Sequence, residues 1–435
     1  MKMKIITSSY QNYFQEQEMM KKDGVSTIVV QEKKRYQMMM GFGGAFTDSA
    51  CGIFQHLSKE EKKTVLDALF SSDGLSYTLG RLTIGSCDFS RYPYHYIKEN
   101  DATFSLDHEE KCTDIFVKRA MKYQDLTLLA SPWTPPAFWK DSKDACHGGK
   151  LKEDCYEAYA EYLANYVEAQ QKRGMPLRYI TMQNEPEAVQ SWESCIFNEE
   201  EELRLVKLFV KKCEERKLPI SVLLWDHNRD VIVRRAENYQ KADPKFTQYV
   251  KGFAYHWYDG DKWDQLALLH EKYPSMQLMF TEGCIELLSL DPKNPSSAIG
   301  TMKNALRYAR NYIEDSLRGT SAFIDWNLLL DEKGGPNHVG NYCEALIQYH
   351  EKEHRLMFNP SYYVVKHFAH FVKPGAVRIG ISFPKEVPST AFQNKDGSIV
   401  IVILNEGNER KEIVEMKGEK VEITLPSQSV ATIVC

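Results

Sequence analysis

The stretch Tyr179-Ile-Thr-Met-Gln-Asn-Glu-Pro-Glu187 decides how the rest of the chain is read. Tyr179 to Met182 alternates as a short strand does, and Asn184, Glu185 and Pro186 break it, leaving a carboxylate and a neighbouring amide on a loop. Loops at strand ends are where α/β barrels hold their chemistry. Downstream, Gln277-Leu-Met-Phe-Thr-Glu282 repeats the device: an apolar strand ends on a second carboxylate, and Gly283 follows. Two acids at two strand ends suggest paired carboxyl catalysis; ordinary surface carboxylates are the alternative.

On either side of this stretch, strand-like and helix-like segments alternate. The strands are expected at Met38 to Gly43, Tyr77 to Ile84, Leu126 to Ser131, Tyr179 to Gln183, Ser221 to Asp226, Gly252 to His256, Gln277 to Glu282 and Ser321 to Asn327. Helical periodicity lies between them at Ser58 to Phe70, Cys112 to Tyr123, Asp154 to Arg173, Glu199 to Lys217 and Ser297 to Leu317. Pro360 to Val372 supplies a closing helix after a long loop from Leu328 to Phe358. This alternation predicts an α/β fold, a closed parallel (β/α)8 TIM barrel over residues 38–375. The rival, an open doubly wound sheet, lacks its fingerprint: Gly41-Phe-Gly-Gly44 does not have the nucleotide-binding spacing.

Both chain ends have a different texture. Short alternating segments at Lys4 to Thr7 and Ser26 to Gln31 match a run of strands from Ala376 to Val434, with turns at Asn394 to Gly397 and Asn405 to Asn408. The N-terminal pieces cannot form a core alone. Residues 1–37 and 376–435 are therefore expected to build one side β-sandwich.

The 435 residues include 43% hydrophobic and 12% aromatic side chains, enough for a sizeable core. The net charge of −5 comes without a basic cluster, which argues against a nucleic-acid partner. Ten cysteines are scattered with no C-x-x-C pair, so neither a metal site nor a disulfide framework is expected. No membrane span and no export signal is read, and a cytoplasmic location is the expectation.

Glu185 follows strand four and Glu282 ends strand seven, so both face one rim. Glu282, rigidly placed, reads as the nucleophile. Glu185, on a loop beside Asn184, reads as the acid, with a pKa raised by the Glu282 charge. Other strand ends carry Asp88, Trp133, His256 with Tyr258, and Asp325-Trp-Asn327. Rings beside carboxylates and amides suit a sugar, whose axial hydrogens stack while its hydroxyls need donors and acceptors. A single Trp at a strand end is more often packing, and Asp88 alone could cap a turn; four such ends on one rim point to carbohydrate.

The motifs Gly41-Phe-Gly-Gly-Ala-Phe-Thr-Asp48, Ser86-Cys-Asp-Phe-Ser90, Ala130-Ser-Pro-Trp-Thr-Pro-Pro136, Gln183-Asn-Glu-Pro-Glu187, Tyr255-His-Trp-Tyr258, Thr281-Glu-Gly283, Asp325-Trp-Asn327 and Gly334-Gly-Pro-Asn337 resemble glycoside hydrolase family 30, nearest its glucosylceramidase-like branch. The resemblance implies a barrel with a side sandwich, a retaining mechanism, and Glu185 as acid/base with Glu282 as nucleophile. It makes Asp88, Trp133, Asn184, Tyr258, Trp326 and Asn341 substrate-binding residues, with Arg81 and His256 as support. No metal or organic cofactor is implied, and the partner is a small β-glycoside or oligosaccharide. Animal glucocerebrosidases carry a Trp at the position of His338, which marks a difference on the aglycone side. The family's β-xylosidase, β-glucuronidase, β-fucosidase and endo-β-1,6-glucanase branches share the two acids, and a noncatalytic sugar-binding barrel is the alternative of another class.

Overall fold

The computed structural model describes residues 3–18, 20–99 and 103–435. Residues 1, 2 and 19 of the expected sandwich and 100–102 of the expected barrel lie outside the described residues. Eight parallel strands form a closed ring in chain order: β1 (Gly41–Ala45), β2 (Leu79–Ile84), β3 (Thr127–Pro132), β4 (Leu177–Thr181), β5 (Ser221–Asn228), β6 (Gly252–His256), β7 (Gln277–Glu282) and β8 (Thr320–Asn327). β8 pairs with β1 and closes the ring. Each strand is followed by a helix, in turn Lys59–Phe70, Thr113–Ala120, Tyr156–Lys172, Glu199–Glu215, Ile232–Ala242, Trp263–Lys272, Met302–Leu317 and Pro360–Ala369. Local chemistry fixes where these begin. Ser58 and Glu61 make a reciprocal capping box, as do Asn198 and Glu201, and Glu199 to Glu202 place negative charge at the positive end of the helix dipole.

Inside the ring, one layer is apolar: Leu79, Leu129, Leu223, Met279 and Ala322 pack together. Side chains of a strand alternate in direction, so the residue two places further on returns to the interior. There Arg81, Ser131 and Thr281 stand above Leu79, Leu129 and Met279, and a polar layer replaces the apolar one. Close strand approach also constrains the sequence: a Cβ on Gly43 would lie 2.0 Å from the Leu79 carbonyl oxygen.

The sandwich strands join in one ten-stranded sheet, in which Lys4–Ser9 pairs with Ser429–Val434 and Ile28–Met38 pairs with Val377–Ser382. Both chain ends thus contribute, as the sequence suggested. Along Ile399–Asn405 the two faces serve different cores. Ile399, Ile401 and Ile403 fill the sandwich, whereas Val400, Val402 and Leu404 belong to the cluster that includes the barrel helices.

Several expected boundaries move. Met38 ends a long sandwich strand, and β1 starts only at Gly41, because Met39 and Met40 bond to Ala376, Gly375 and Ser321 while the chain crosses between sheets. β4 stops at Thr181, since Gln183 and Asn184 bond to Trp133 and Pro132 of the neighbouring loop. The segment expected as a helix from Cys112 to Tyr123 is helical over Thr113–Ala120, with Cys112 at its cap, and Met302 rather than Ser297 opens the helix capped by Thr301. The expected loop from Leu328 to Phe358 contains the strands Leu330–Asp331, Cys343–Glu344, Ile347–His350 and Arg355–Phe358. Asn12–Gln17 and Met20–Lys21 were not expected as strands, nor Asp48–His56 as a helix.

Candidate active site

The strand ends do not run straight into their loops. Opposite β6, the β5 register skips Asp226 between Trp225 and His227, and the β7 register skips Thr281 between Phe280 and Glu282. The β8 register skips Trp326 opposite β1. A bulge turns its extra residue out of the regular alternation and re-aims the side chain. Backbone strain accompanies this: Trp225, Asp226 and Glu185 have φ of 80°, 50° and 50°, in the left-handed region that non-glycine residues seldom occupy.

The side chains so aimed form one network. Arg81, wholly buried, reaches Glu282 Oε2 through Nη1 at 2.5 Å, and Asp226 Oδ2 and Asn184 Oδ1 through Nη2 at 2.8 Å each. Its guanidinium lies 4.8 Å from the Trp133 ring and 5.5 Å from that of Trp326, and these two rings stack. Tyr258 donates its hydroxyl to Glu282 Oε1 at 2.9 Å, so both oxygens of Glu282 are engaged. His256 lies between two acids, with Nε2 3.1 Å from Asp226 Oδ1 and Nδ1 3.2 Å from Glu185 Oε1. Asp226 further accepts from Ser131, Thr181 and Thr281.

Asp226 was not singled out by sequence reasoning, although it ends a barrel strand as Glu282 does. In a regular ladder Leu223 and Trp225 would face the interior and Asp226 the outside, and the register shift at Asp226 turns its carboxylate inward. It is the hub that orders Arg81 and His256.

Charges in this dry layer set the protonation. Burial acts to lower the His256 pKa, but the Glu282 charge and the hydrogen bonds to Asp226 and Glu185 outweigh it and push it up to about 9. Burial likewise acts to raise Glu185, yet the facing His227 and the bond to His256 hold its carboxyl well below the usual range. This reverses the expectation that Glu282 would raise Glu185: His227 and His256 both face its carboxyl, at 3.7 and 3.2 Å, and favour its ionised form. Asp88 moves the other way. Burial and then the Glu282 charge raise it to about 8 against the bond from Asn341, leaving a neutral acid that can both donate and accept.

One atom each of Glu185, His256 and Glu282 lie within 4.8 Å of one another, a spacing a divalent cation would also accept. An imidazolium with both N–H groups engaged has no lone pair to give, and Arg81 already occupies Glu282. The cluster is built to share protons.

These groups open on a cavity of about 420 Å³. Asp88, Trp133, Asn184, Glu185, Tyr258, Glu282, Trp326 and Asn341 all line it, whereas Arg81 and His256 stand behind its wall. The structure thus brings together the ten residues to which the sequence assigned catalytic, substrate-binding or supporting places, while Asp325 and Asn327 bond Tyr308 and Thr47 outside the cavity lining. It adds His227 and Asn228, the last two residues of β5, and Gln190, Trp192, Glu286 and Leu288, which come from the segments after β4 and β7 and have no barrel-strand end to mark them. Asn341 Nδ2 donates to Asp88 Oδ2 at 2.8 Å, and the Asn337 side chain accepts from the backbone of Val339, Gly340 and Asn341 to shape their loop.

The glycosyl hydrolase family 30 TIM-barrel domain model matches residues 39–372, and the family's beta sandwich domain model matches residues 375–433. The chain belongs to glycosyl hydrolase family 30. Among relatives of this family 30 chain, putative glucosylceramidase 4 of Caenorhabditis elegans is 30% identical over 406 residues, covering 87% of this chain and 76% of the relative. The crystal structure of SrfJ from Salmonella typhimurium is 33% identical with a TM-score of 0.93, over 100% of this chain and 99% of that one. The endo-β-1,6-glucanase BT3312 superposes with a TM-score of 0.87 at 25% identity, over 99% of each chain. Membership makes the protein an O-glycosyl hydrolase. No helix among the described residues is long and apolar enough to cross a membrane.

Proposed function

We propose that this chain is a retaining β-glycosidase of glucosidase type, with Glu282 as nucleophile and Glu185 as acid/base. The observation that carries the reading is the approach of the two carboxylates to within 4.8 Å across one cavity, close to the roughly 5 Å of double-displacement enzymes and too narrow for a water between them. Glu282 attacks the anomeric carbon, the glycosidic C–O bond breaks, and the leaving oxygen takes a proton from Glu185, which His256 Nδ1 supplies. Glu185 then removes a proton from water as that water displaces Glu282 from the sugar. Arg81 and Tyr258, one on each oxygen of Glu282, favour its departure as a carboxylate.

Asp88, Asn184 and Asn341 bind hydroxyls of the glycone, and Trp133 with Trp326 walls it. Tyr258 lines the same cavity beside Glu282. The glucosylceramidase relative and the endo-β-1,6-glucanase neighbour support a β-glucosyl glycone. The mixed polar and aromatic mouth, with Gln190, Trp192, Asn228 and Glu286, accommodates a second sugar as well as an apolar aglycone, and a chain-length series of gluco-oligosaccharides separates the two. Ten free thiols support a reducing compartment, the cytoplasm. A barrel domain at 38–375 agrees within a few residues with the barrel model's match at 39–372, and the sandwich model's match at 375–433 supports 376–435 as the C-terminal part of the second domain, to which 1–37 are assigned by strand pairing.

The test is E282Q. Its kcat/KM on an aryl β-glucoside falls at least about 10³-fold with an unchanged far-UV circular dichroism spectrum. Near-normal turnover would sink the assignment, and an inactive wild type across a panel of aryl β-glycosides would favour a noncatalytic binding barrel.

A further inference from the structure

One histidine–carboxylate contact of the rim takes no part in the chemistry above. His338 lies in the loop after β8. Its Nδ1 is 2.9 Å from the carbonyl oxygen of Ser90, in the loop after β2, and its Nε2 is 3.3 Å from Glu193 Oε2, in the loop after β4. A ring nitrogen that faces a carbonyl must carry hydrogen, so Nδ1 donates to Ser90. The Glu193 side chain is wholly buried, and neither of its oxygens has a hydrogen bond among the described residues. Such a carboxylate is costly unless a cation faces it. Among the described residues His338 is its only ion-pair partner.

Each of the three loops joined here contributes to the pocket lining. Ser90 lies two residues from Asp88, Glu193 follows Trp192, and His338 precedes Val339 and the loop residues that end at Asn341. Asn341 in turn bonds Asp88 across the gap between two of these loops. For stability alone the pair is a poor choice, because well-packed neutral residues usually serve a buried position as well or better. Its value lies in what it aligns.

We propose that Glu193, acting through His338, is a positioning pair that fastens the loops after β2, β4 and β8 together, so that Asp88 and Asn341 are presented jointly to the glycone and in register with Trp192 at the mouth. The functional half of this rests on the glycosidase reading of the same pocket. Neither residue touches the substrate; both act on binding through the loops they hold.

The experiment pairs amide hydrogen exchange with kinetics on E193Q, which keeps shape and removes charge. Exchange across 336–341 and 88–91 speeds up about tenfold or more, while the melting temperature stays at or above that of the wild type. KM for an aryl β-glucoside rises about tenfold, and kcat stays within about threefold. H338F shows the same changes in exchange and KM but melts below the wild type, because it leaves Glu193 buried without its partner, and the double variant is no worse in KM than either single one because both cut the same link. Unchanged exchange at 336–341 in E193Q, a loss confined to kcat, or additive losses in the double variant would overturn the proposal. A wild type that turns over no glycoside would defeat the glycosidase reading instead, and the exchange data would still decide whether the clasp exists.

Discussion

His256 bridges Asp226 through Nε2 and Glu185 through Nδ1, and this decides where their shared proton rests. Three carboxylates and two buried cations occupy the same dry layer, and the imidazole, pushed up to about 9, keeps its proton at neutral pH while Glu185 stays ionised. A group with a raised pKa holds its proton below that value and loses it above. The pH profile of kcat/KM reports groups of the free protein, so its alkaline limb falls near pH 9 and belongs to the coupled His256–Glu185 pair. An alkaline limb between pH 5 and 7 would place the proton on Glu185 itself and contradict this arrangement.

At the scale of the element, bulges at the C-terminal ends of β5, β7 and β8 put Asp226, Glu282 and Trp326 where a regular ladder would not. The strands themselves need close approach, most of all at Gly43, whose added Cβ would meet backbone rather than a side chain that can yield. Gly43→Ala therefore overpacks the β1–β2 contact and lowers stability by about 1–3 kcal/mol or more, read as an earlier urea midpoint. A midpoint equal to that of the wild type would show that the ring relaxes there. Such features also mark how far sequence reading reached. The bounds of β6 and β7 and the helix from Ser58 to Phe70 were legible, because period and cap chemistry are local. Glu185 and Glu282 were legible as acids at strand ends. Asp226 was not, since a bulge is a property of two strands in register, and the ionisation of Glu185 was not, since His227 and His256, which hold its carboxyl low, come from two other strands, His256 71 positions away in the chain. The His338–Glu193 contact likewise exists only once three loops have been brought to one rim.

Across the whole molecule, closure of the ring is what gives the pocket its geometry. β4 and β7 are separated by β5 and β6, and the distance between Glu185 and Glu282 is set by the packing of all four strands over the apolar layer beneath. The sandwich bears on the same core, because alternate residues of Ile399–Asn405 pack with the barrel helices, and His367 of the last helix bonds Ser8 and Thr432 from the two chain ends. The barrel is thereby braced at its last helices, and the carboxylate separation follows from the packing of the whole fold. That separation makes a stereochemical claim. Proton NMR of the first sugar released from an aryl β-glucoside, recorded before mutarotation, is predicted to show the β-anomer; the α-anomer as first product would mean that water attacks directly, and that Glu282 is not the nucleophile.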